Sequence, residues 1–367
     1  MSERTGGVGR RRVWRAAMAL AVLVMTSGAA AAAEVWPGTS WQKAKPAALG
    51  VDATKLNQGV SYAKGYGGSG LVAKDGYVIA SWGDQKAKYA LRSATKSFGS
   101  ILLGLAIDDG RLALGDRAVN RLSGFGTPPS SNVNTGWLPK ITILQLATHT
   151  AGFDAGGGDY LPLVFAPGSK FLYSNAGANW LADILTVTFG KDLKSVLTTR
   201  VLQPLKIGSS ALSWNTNTYH VQTLQGITNR SISSGISANV DAMARIGLLM
   251  ARGGKWQTAQ ILSQSYVDQA GSTPAALKGT PLADPTEWPG ATDRYGLLWW
   301  NNASGAISGL PKDAFWAWGL EDSIILAVPS LDLVISRAGP KIEKGQPRFG
   351  QIKFLQPFFG PIAQAAS

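Results

Sequence analysis

Ser93 and Lys96 stand three residues apart at the start of a predicted amphipathic helix, a spacing that allows nucleophilic chemistry. Apolar residues recur at helical spacing after them, and Gly110 is expected to end the helix. Residues three apart share one face of a helix, so the lysine amine can reach the serine hydroxyl. The positive field of a helix N-terminus and burial both disfavour the ammonium form, and a neutral lysine is a base. The spacing therefore predicts an activated serine of the Ser-x-x-Lys type.

Two other serine and lysine pairs have the same spacing, Ser40 with Lys43 and Ser61 with Lys64. The second pair falls inside a predicted helix, and the first lies near the expected N-terminus of the mature chain. Ser93 differs because it opens a helix directly after a predicted pair of strands. The alternative interpretation of Ser93 is a serine that caps the helix beside a surface lysine.

The composition disfavours several other kinds of chemistry. The chain has no cysteine, which excludes thiol nucleophiles and cysteine-ligated metals. Its only histidines are His149 and His220, and it lacks a Gly-x-Ser-x-Gly sequence, which disfavours an α/β-hydrolase triad. The net charge of +13 is spread along the chain, and no basic run indicates a nucleic-acid partner. We expect no metal and no cofactor.

The N-terminal segment is typical of a signal peptide. Four arginines over 10–15 precede an apolar run over 16–25, and an Ala-x-Ala sequence ends at Ala33. The apolar run is too short for a membrane-spanning helix. Cleavage after residue 33 removes five arginines and one glutamate, which leaves 30 basic and 21 acidic residues and a net charge of +9. We therefore expect a periplasmic or secreted protein.

The order of the predicted elements indicates an α/β fold of the α+β kind. Two short strands at 71–74 and 77–82 are joined through Asp75-Gly76, a strong hairpin signal. The patterns that follow are helical at 141–148, 174–188, 193–202 and 239–252, then extended at 296–301, 314–318, 323–328 and 333–337, with a last helix at 352–362 that Pro357 interrupts.

This order implies that both ends of the chain share one antiparallel sheet flanked by helices, while the middle forms an all-helical lobe. After the signal peptide at 1–33, we expect one catalytic domain over 34–367. Its α/β lobe would comprise 34–92 and 226–367, and its helical lobe 93–225.

Tyr173-Ser174-Asn175 is the single Tyr-x-Asn sequence in the chain and begins eighty residues after Ser93. His149-Thr150-Ala151-Gly152 precedes it, and Ser234-Gly235-Ile236-Ser237-Ala238 and Gly253-Gly254-Lys255-Trp256 follow it. In this order the motifs resemble those of the β-lactamase-related serine hydrolases, a family of class C β-lactamases, D-Ala-D-Ala carboxypeptidases, esterases and nylon-oligomer hydrolases. The resemblance runs from about residue 71 to about residue 337. It implies a β-lactamase/transpeptidase-like fold.

The resemblance also implies a role for each matched residue. Ser93 would form an acyl-enzyme, with Lys96 as its partner. Tyr173 would relay the proton, and Asn175 would orient the lysine and the substrate. A phenolate beside a cationic lysine, or a phenol beside a neutral one, can accept the serine proton and return it to the leaving group. The sequence leaves open which of Lys96 and Tyr173 is the formal base.

The third motif of the family, Lys-Thr-Gly or His-Thr-Gly on a strand beside the serine, corresponds here to Ala317-Trp318-Gly319-Leu320. The cation is missing, which disfavours β-lactams and peptides that present a carboxylate. The resemblance implies an oxyanion hole formed by the amides of Ser93 and of Leu320, the residue after Gly319. Lys312 or Arg294 is an alternative cation, although the sequence favours surface positions for both.

Tryptophans crowd the predicted final strands. Core packing is the default interpretation, and alternation along a strand makes either Trp316 or Trp318 a candidate wall of an apolar pocket near the serine. The predicted substrate-binding residues are Asn175, Trp316, Trp318, Gly319 and Leu320.

The function that fits these motifs best is an exported serine hydrolase that cleaves a small carboxylic ester or amide through an acyl-Ser93 intermediate. One alternative is a D-alanyl-D-alanine carboxypeptidase or class C-like β-lactamase, which uses the same machinery and differs at the third motif. Another is a penicillin- or cell-wall-binding protein that keeps the fold without turnover.

Overall fold

Strands from both ends of the chain pair in one sheet, as the order of the sequence patterns predicts. The computed structural model describes residues 6–7, 34–342 and 352–367. Its strands are β1 (Gln42–Lys43), β2 (Ser69–Lys74), β3 (Tyr77–Trp82), β4 (Tyr89–Ala90), β5 (Leu212–Trp214), β6 (Thr223–Leu224), β7 (Ile227–Thr228), β8 (Ile236–Ala238), β9 (Lys255–Trp256), β10 (Ala259–Gln260), β11 (Trp300–Asn301), β12 (Phe315–Trp318), β13 (Ile324–Val328) and β14 (Leu333–Ala338).

Within the described residues, seven strands form the main sheet in the order β1-β3-β2-β14-β13-β12-β11. β1 runs parallel to β3, and the other neighbouring pairs are antiparallel. Strands β4, β8 and β5 form a smaller sheet, and β6 with β7 and β9 with β10 form two-stranded pairs. The hairpin of β2 and β3 turns at Asp75 and Gly76, which adopt φ of 52° and 81°. Positive φ at both positions is what an Asp-Gly hairpin turn requires.

The helices are α1 (Ala53–Gly65), α2 (Thr95–Asp108), α3 (Ser131–Asn134), α4 (Ile143–Ala147), α5 (Asn175–Phe189), α6 (Leu193–Leu197), α7 (Val240–Ala251), α8 (Gln264–Gly271) and α9 (Gln356–Ala365). Side-chain caps fix where several of them begin. Asp52 accepts hydrogen bonds from the first turn of α1, Ser174 from that of α5, and Asn239 from that of α7.

Alternating side chains bury both faces of the main sheet. Val334 of β14 packs on the side of α7, whereas its neighbours Leu333 and Ile335 pack with α1 and α9 on the other side. Gly247 lets α7 approach the sheet, because a Cβ at that position would clash with Val334. The helices on both sides hold the strand ends that frame the predicted site.

Three predicted elements differ in the structure. The helix over 193–202 is divided into α6 and a π-helical turn, Thr198–Leu202. The strand over 296–301 is reduced to β11, because Leu298 adopts φ of 63° and the chain turns there. Pro357 does not interrupt the last helix. It lies in the first turn of α9, where the N–H that proline lacks would have no helical partner.

Residues Glu34–Ser367 form one compact unit. The predicted signal peptide, residues 1–33, lies outside the described residues except for residues 6–7. The division into an α/β lobe and a helical lobe at the boundaries given above stays a prediction. None of the helices in the described part of the chain is long and apolar enough to cross a membrane.

Candidate active site

Ser93 lies in a short 3₁₀ turn, Arg92–Ala94, that leads directly into α2. The chain enters this turn from β4, and the amide of Leu91 donates to the carbonyl oxygen of Ile236 in the neighbouring strand. Lys96, one turn later, directs its Nζ atom to within 3.2 Å of Ser93 Oγ. The structure thus brings together Ser93 and Lys96, as their three-residue spacing predicts.

Lys96 is 1% exposed, and protein atoms surround its amine. Nζ lies 2.6 Å from Asn175 Oδ1 and 3.2 Å from the carbonyl oxygen of Ser233. Burial lowers the pKa of Lys96 from 10.5 to about 7, because the ammonium form loses its hydration. Near neutral pH the amine is therefore partly unprotonated, which an exposed lysine is not.

Tyr173 and Asn175 flank the Ser174 cap of α5, so the start of this helix fixes both side chains. Burial raises the pKa of Tyr173 well above its ordinary value, and hydrogen bonds with Ser93 and Tyr295 offset part of that rise. The Lys96 amine lies 4.8 Å from the centre of the Tyr173 ring. Tyr173 is consequently a phenol at neutral pH, and it lines the same pocket as Ser93.

A pocket of about 350 Å³ opens beside Ser93. Its aromatic wall continues from Tyr173, whose ring stacks on Trp288 with a centroid distance of 4.6 Å. Trp288 in turn stacks on Trp300 at 5.1 Å. The described residues that line the pocket are Arg92, Ser93, Ala155, Tyr173, Asn175, Tyr219, Ser233, Ser234, Glu287, Trp288, Trp300, Trp318, Gly319 and Leu320.

The end of β12 meets the Ser93 turn at Gly319. A Cβ on this residue would clash with the carbonyl oxygen of Leu91, so only glycine permits this approach. The Gly319 amide donates to the carbonyl oxygen of Ser323 at 2.8 Å, and Leu320, the next residue, is 44% exposed at the pocket. The strand end therefore brings Leu320 to the pocket that Ser93 also lines.

The two candidate tryptophans of β12 have different environments. Trp318 lines the pocket and donates from Nε1 to Asp322 Oδ1 at 2.9 Å. Trp316 is 0% exposed and packs edge-on against Phe359 of α9, so the structure does not bring it to the pocket. Alternation puts both rings on the same face of the strand, and Trp318 is the one at the end nearer Ser93.

Neither of the alternative cations from the sequence reaches the pocket. Arg294 is only 7% exposed, contrary to the expected surface position, and it donates to the carbonyl oxygens of Pro289 and Gly290. Lys312 is exposed, as expected, and is not among the lining residues. The lining cation is Arg92, which precedes the nucleophile and lies 3.6 Å from the Glu321 carboxylate. No sequence signal identified it.

Several lining residues come from irregular segments that the sequence patterns do not position. Tyr219 accepts a hydrogen bond from Ser234 Oγ at 3.3 Å, and the loop over 283–290 carries Glu287 and Trp288. In the described part of the chain, no group of three or more histidine and acidic side chains is arranged to hold a metal ion.

The class of protein that this fold and this cluster define is a serine hydrolase with a β-lactamase/transpeptidase-like fold. The sequence model of the β-lactamase family matches residues 55–337. That range covers most of the chain, and the protein therefore belongs to the β-lactamase family. The family and the fold inferred from the ordered motifs are both confirmed.

Similar proteins are known by sequence and by structure. The chain is 29% identical over 179 residues to the D-alanyl-D-alanine-carboxypeptidase/endopeptidase AmpH of Escherichia coli, a match that covers 40% of this chain and 45% of AmpH. A β-lactamase from Mycobacterium bovis has a TM-score of 0.59 at 19% identity, covering 84% of this chain and 97% of its own. A putative 6-aminohexanoate-dimer hydrolase from Bacillus anthracis has a TM-score of 0.61 at 18% identity, and the match covers 81% of this chain and 78% of the hydrolase chain. The match thus spans less than half the length of AmpH, and the solved structures establish the fold alone.

Proposed function

We propose that the protein is an exported serine hydrolase that cleaves small carboxylic esters or amides through an acyl-enzyme on Ser93. The observation that carries this proposal is the 3.2 Å contact between Lys96 Nζ and Ser93 Oγ beside the pocket, made by a lysine with a pKa of about 7. A group with a pKa near the working pH is well suited to accept and return a proton.

Neutral Lys96 has two N–H bonds and one lone pair. Asn175 Oδ1 and the carbonyl oxygen of Ser233 can accept the two N–H bonds, which leaves the lone pair for the hydroxyl of Ser93. As Ser93 Oγ forms a bond to the carbonyl carbon of the substrate, its proton passes to Lys96. The amides of Ser93 and Leu320 would stabilise the negative charge that develops on the carbonyl oxygen.

Tyr173 completes the transfer in this mechanism. Its hydroxyl gives a proton to the leaving oxygen or nitrogen as the bond to the acyl carbon breaks, and the Lys96 ammonium returns a proton to the phenolate. Water then attacks the acyl-enzyme, gives one proton to the same pair, and Ser93 leaves as a hydroxyl group. The net reaction adds one water molecule across the ester or amide bond.

The walls of the pocket support an uncharged, apolar substrate. Trp288, Trp300 and Trp318 line it, and each buried methylene of an acyl or alkyl group contributes roughly 0.8 kcal/mol to binding. Export rests on the predicted signal peptide. It can be tested by sequencing the N-terminus of the protein from the periplasm or medium, where Glu34 is expected as the first residue.

Covalent labelling tests the nucleophile. We expect a fluorophosphonate to add one adduct to the wild-type chain, on the peptide that contains Ser93, and we expect Ser93→Ala to lose both the adduct and hydrolysis of p-nitrophenyl butyrate. Ser61→Ala and Ser40→Ala are matched controls from the other Ser-x-x-Lys sequences and should label normally. An adduct on Ser40 or Ser61 in place of Ser93 contradicts the proposal.

A second candidate function is a D-alanyl-D-alanine carboxypeptidase or β-lactamase. Arg92 favours it, because its half-exposed guanidinium lines the pocket next to the nucleophile, where it can meet a substrate carboxylate. The sequence similarity to AmpH points the same way. A stable penicillin adduct on Ser93, or release of D-alanine from a D-Ala-D-Ala peptide faster than butyrate from its ester, would favour this second function.

A further inference from the structure

An ion pair joins the turn before the nucleophile to the hairpin of β12 and β13. Arg92 Nη2 lies 3.6 Å from Glu321 Oε1, and each side chain is 48% exposed. Arg92 lines the pocket beside Ser93, whereas Glu321 is not among the described residues that line it. Within the described part of the chain, neither side chain makes a second ion pair. The pocket therefore has a cation whose charge is offset by an acid outside the lining.

Both partners of this ion pair have an uncommon backbone conformation. Arg92 adopts φ of 51° and Glu321 φ of 69°, and Asp322, the next residue, adopts φ of 58°. The left-handed region costs conformational energy for residues other than glycine, and it persists only where the surrounding structure holds it. The fold therefore sets the points at which the Arg92 and Glu321 side chains leave the backbone.

Two contacts fix the hairpin against the chain that enters the Ser93 turn. On one side, Gly319 approaches the carbonyl oxygen of Leu91 so closely that a Cβ would clash with it. On the other side, Ser323 Oγ donates to the carbonyl oxygen of Ala90 at 3.3 Å. These contacts keep the two turns that carry the ion pair next to each other.

A buried arginine holds the turn of the hairpin itself. Arg337 of β14 is 0% exposed, and its Nη1 atom donates to the carbonyl oxygens of Glu321 at 2.9 Å and Asp322 at 3.2 Å. The Asp322 amide donates to the carbonyl oxygen of Gly319 at 3.0 Å, which closes the turn. The backbone of Glu321 is thus fixed, and its carboxylate stays within reach of Arg92.

We propose that Glu321 is a specificity-determining residue that offsets the charge of Arg92 and so selects against substrates that carry a carboxylate. The inference rests on the proposed function, because it concerns which esters and amides react with Ser93. A substrate carboxylate must replace Glu321 at the guanidinium, and it meets a like charge beside it. A neutral substrate leaves the ion pair intact. Glu321 therefore adds to the discrimination that the missing cation of the third motif implies.

Two matched esters isolate the effect of one charge. p-Nitrophenyl pentanoate and mono-p-nitrophenyl glutarate share a leaving group and an acyl chain of the same length, and only the glutarate ends in a carboxylate. A cephalosporin presents its carboxylate on the leaving side of the reacting bond, so the two anionic substrates cover both directions from Ser93. A defect in folding lowers kcat/KM for all three substrates by a similar factor.

The test variant is Glu321→Gln, which removes the charge and keeps the size of the side chain. We expect kcat/KM for at least one anionic substrate, relative to that for the pentanoate, to rise about three- to fivefold, because half-exposed ion pairs are partly screened by water. The pentanoate value itself should change less than about twofold. The matched control is Asp268→Asn, which removes one negative charge from an exposed residue of α8 that does not line the pocket. This control should leave the ratios unchanged.

A double variant tests whether the effect passes through Arg92. With Arg92→Gln already present, adding Glu321→Gln should leave the ratios unchanged. If Glu321→Gln does not fold, Glu321→Asn removes the same charge and tolerates a left-handed backbone better. Unchanged ratios for both anionic substrates in the single variant, or an equal rise in the Arg92→Gln background, would overturn this inference while Ser93 labelling still supports the proposed function. Normal ester hydrolysis by Ser93→Ala would instead overturn the proposed function.

Discussion

Asn175 Oδ1 lies 2.6 Å from Lys96 Nζ, closer than either Ser93 Oγ or the carbonyl oxygen of Ser233. Asn175 is the first residue of α5, so the Ser174 cap that starts the helix also fixes this amide oxygen. An amide accepts a hydrogen bond from the amine without adding a negative charge beside it. Asn175 can therefore orient the amine while burial keeps the pKa of Lys96 low.

This relationship predicts how activity depends on pH. In the wild type, hydrolysis of p-nitrophenyl butyrate should rise through about pH 7 as the Lys96 ammonium loses its proton. Asn175→Asp keeps the shape of the side chain and adds a carboxylate, which favours the ammonium form and raises the lysine pKa. We expect the midpoint of the pH–rate profile to move up by about one unit or more. An unchanged midpoint would mean that the profile reports another group.

The same lowered pKa predicts a pH-dependent stability. The Lys96 pKa is about 7 in the folded protein against 10.5 for a free lysine, so the unfolded chain binds more protons between these values. The free energy of unfolding should therefore rise with pH across that window, by on the order of 5 kcal/mol for the full shift. Below pH 7 Lys96 is protonated in both the folded and the unfolded protein, so the folded state bears the full free-energy cost of burying the ammonium.

Lys96→Met isolates this contribution because it removes the charge and keeps the length of the side chain. The free energy of unfolding of the variant minus that of the wild type should be larger at about pH 6 than at about pH 10. Urea unfolding at the two pH values measures this difference. The exposed residue Lys64 provides the control, and Lys64→Met should show the same stability difference at both pH values. A difference for Lys96→Met that does not vary with pH contradicts the lowered pKa.

Local patterns explain what the sequence predicted well. The three-residue spacing of Ser93 and Lys96 needs only one helical turn, and the Asp75-Gly76 turn needs only two residues. The pairing of strands from the two ends of the chain, seen in β2 and β14, could be predicted as well. Strand patterns at both ends leave few other ways to bury the same side chains. The family motifs added Tyr173, whose place before a helix start is also a local feature.

The sequence could not predict the pocket residues whose positions depend on long-range packing. Tyr295 and Trp288 lie on irregular segments without periodicity, and only the folded chain brings them behind and beside Tyr173. Trp316 and Trp318 have the same alternation, so no pattern distinguishes the ring that reaches the pocket. No sequence pattern pointed to Arg92, which lines the pocket from a turn where it adopts a positive φ of 51°.

A double variant tests whether Lys96 and Tyr173 act as one unit. Lys96→Ala and Tyr173→Phe should each lower the acylation rate by roughly 10²- to 10⁴-fold, since each breaks the same proton transfer. Because the first loss removes most of the effect, the double variant should be little worse than either single one. Single-turnover kinetics with p-nitrophenyl butyrate give these rates. Losses that multiply would show that the two residues work independently.

Gly319 provides a test of the approach between β12 and the Ser93 turn. In Gly319→Ala the new Cβ clashes with the carbonyl oxygen of Leu91, so the strand end must move away from the nucleophile. We expect a stability loss of about 1–3 kcal/mol, as for overpacking, together with a fall in kcat that exceeds any change in KM. Gly115→Ala is the matched control, since nothing lies within 4 Å of a Cβ there. Normal kcat in Gly319→Ala would argue against an oxyanion hole at Leu320.

Substrate choice follows from the charges at the pocket. Ala317, which the resemblance aligns with the family's cation, is 0% exposed and is not a lining residue. We therefore expect an anionic substrate to rely on Arg92, whose guanidinium already lies near Glu321. Burying a carboxylate without a dedicated partner is costly, whereas a neutral ester gains apolar contact with the tryptophans. We expect kcat/KM for p-nitrophenyl butyrate to exceed that for a cephalosporin by about 10²-fold or more.

Arg92→Gln sharpens the comparison between neutral and anionic substrates. Removing the guanidinium should lower cephalosporin turnover by a larger factor than butyrate turnover, because only the first substrate presents an anion to Arg92. Lys312→Gln is the control, since Lys312 is exposed and does not line the pocket, and it should leave the ratio of the two substrates unchanged. If the wild type hydrolyses cephalosporins as readily as the neutral ester, the assignment to neutral esters loses its main support. A loss of that cephalosporin activity in Arg92→Gln would then identify Arg92 as the cation that replaces the missing lysine.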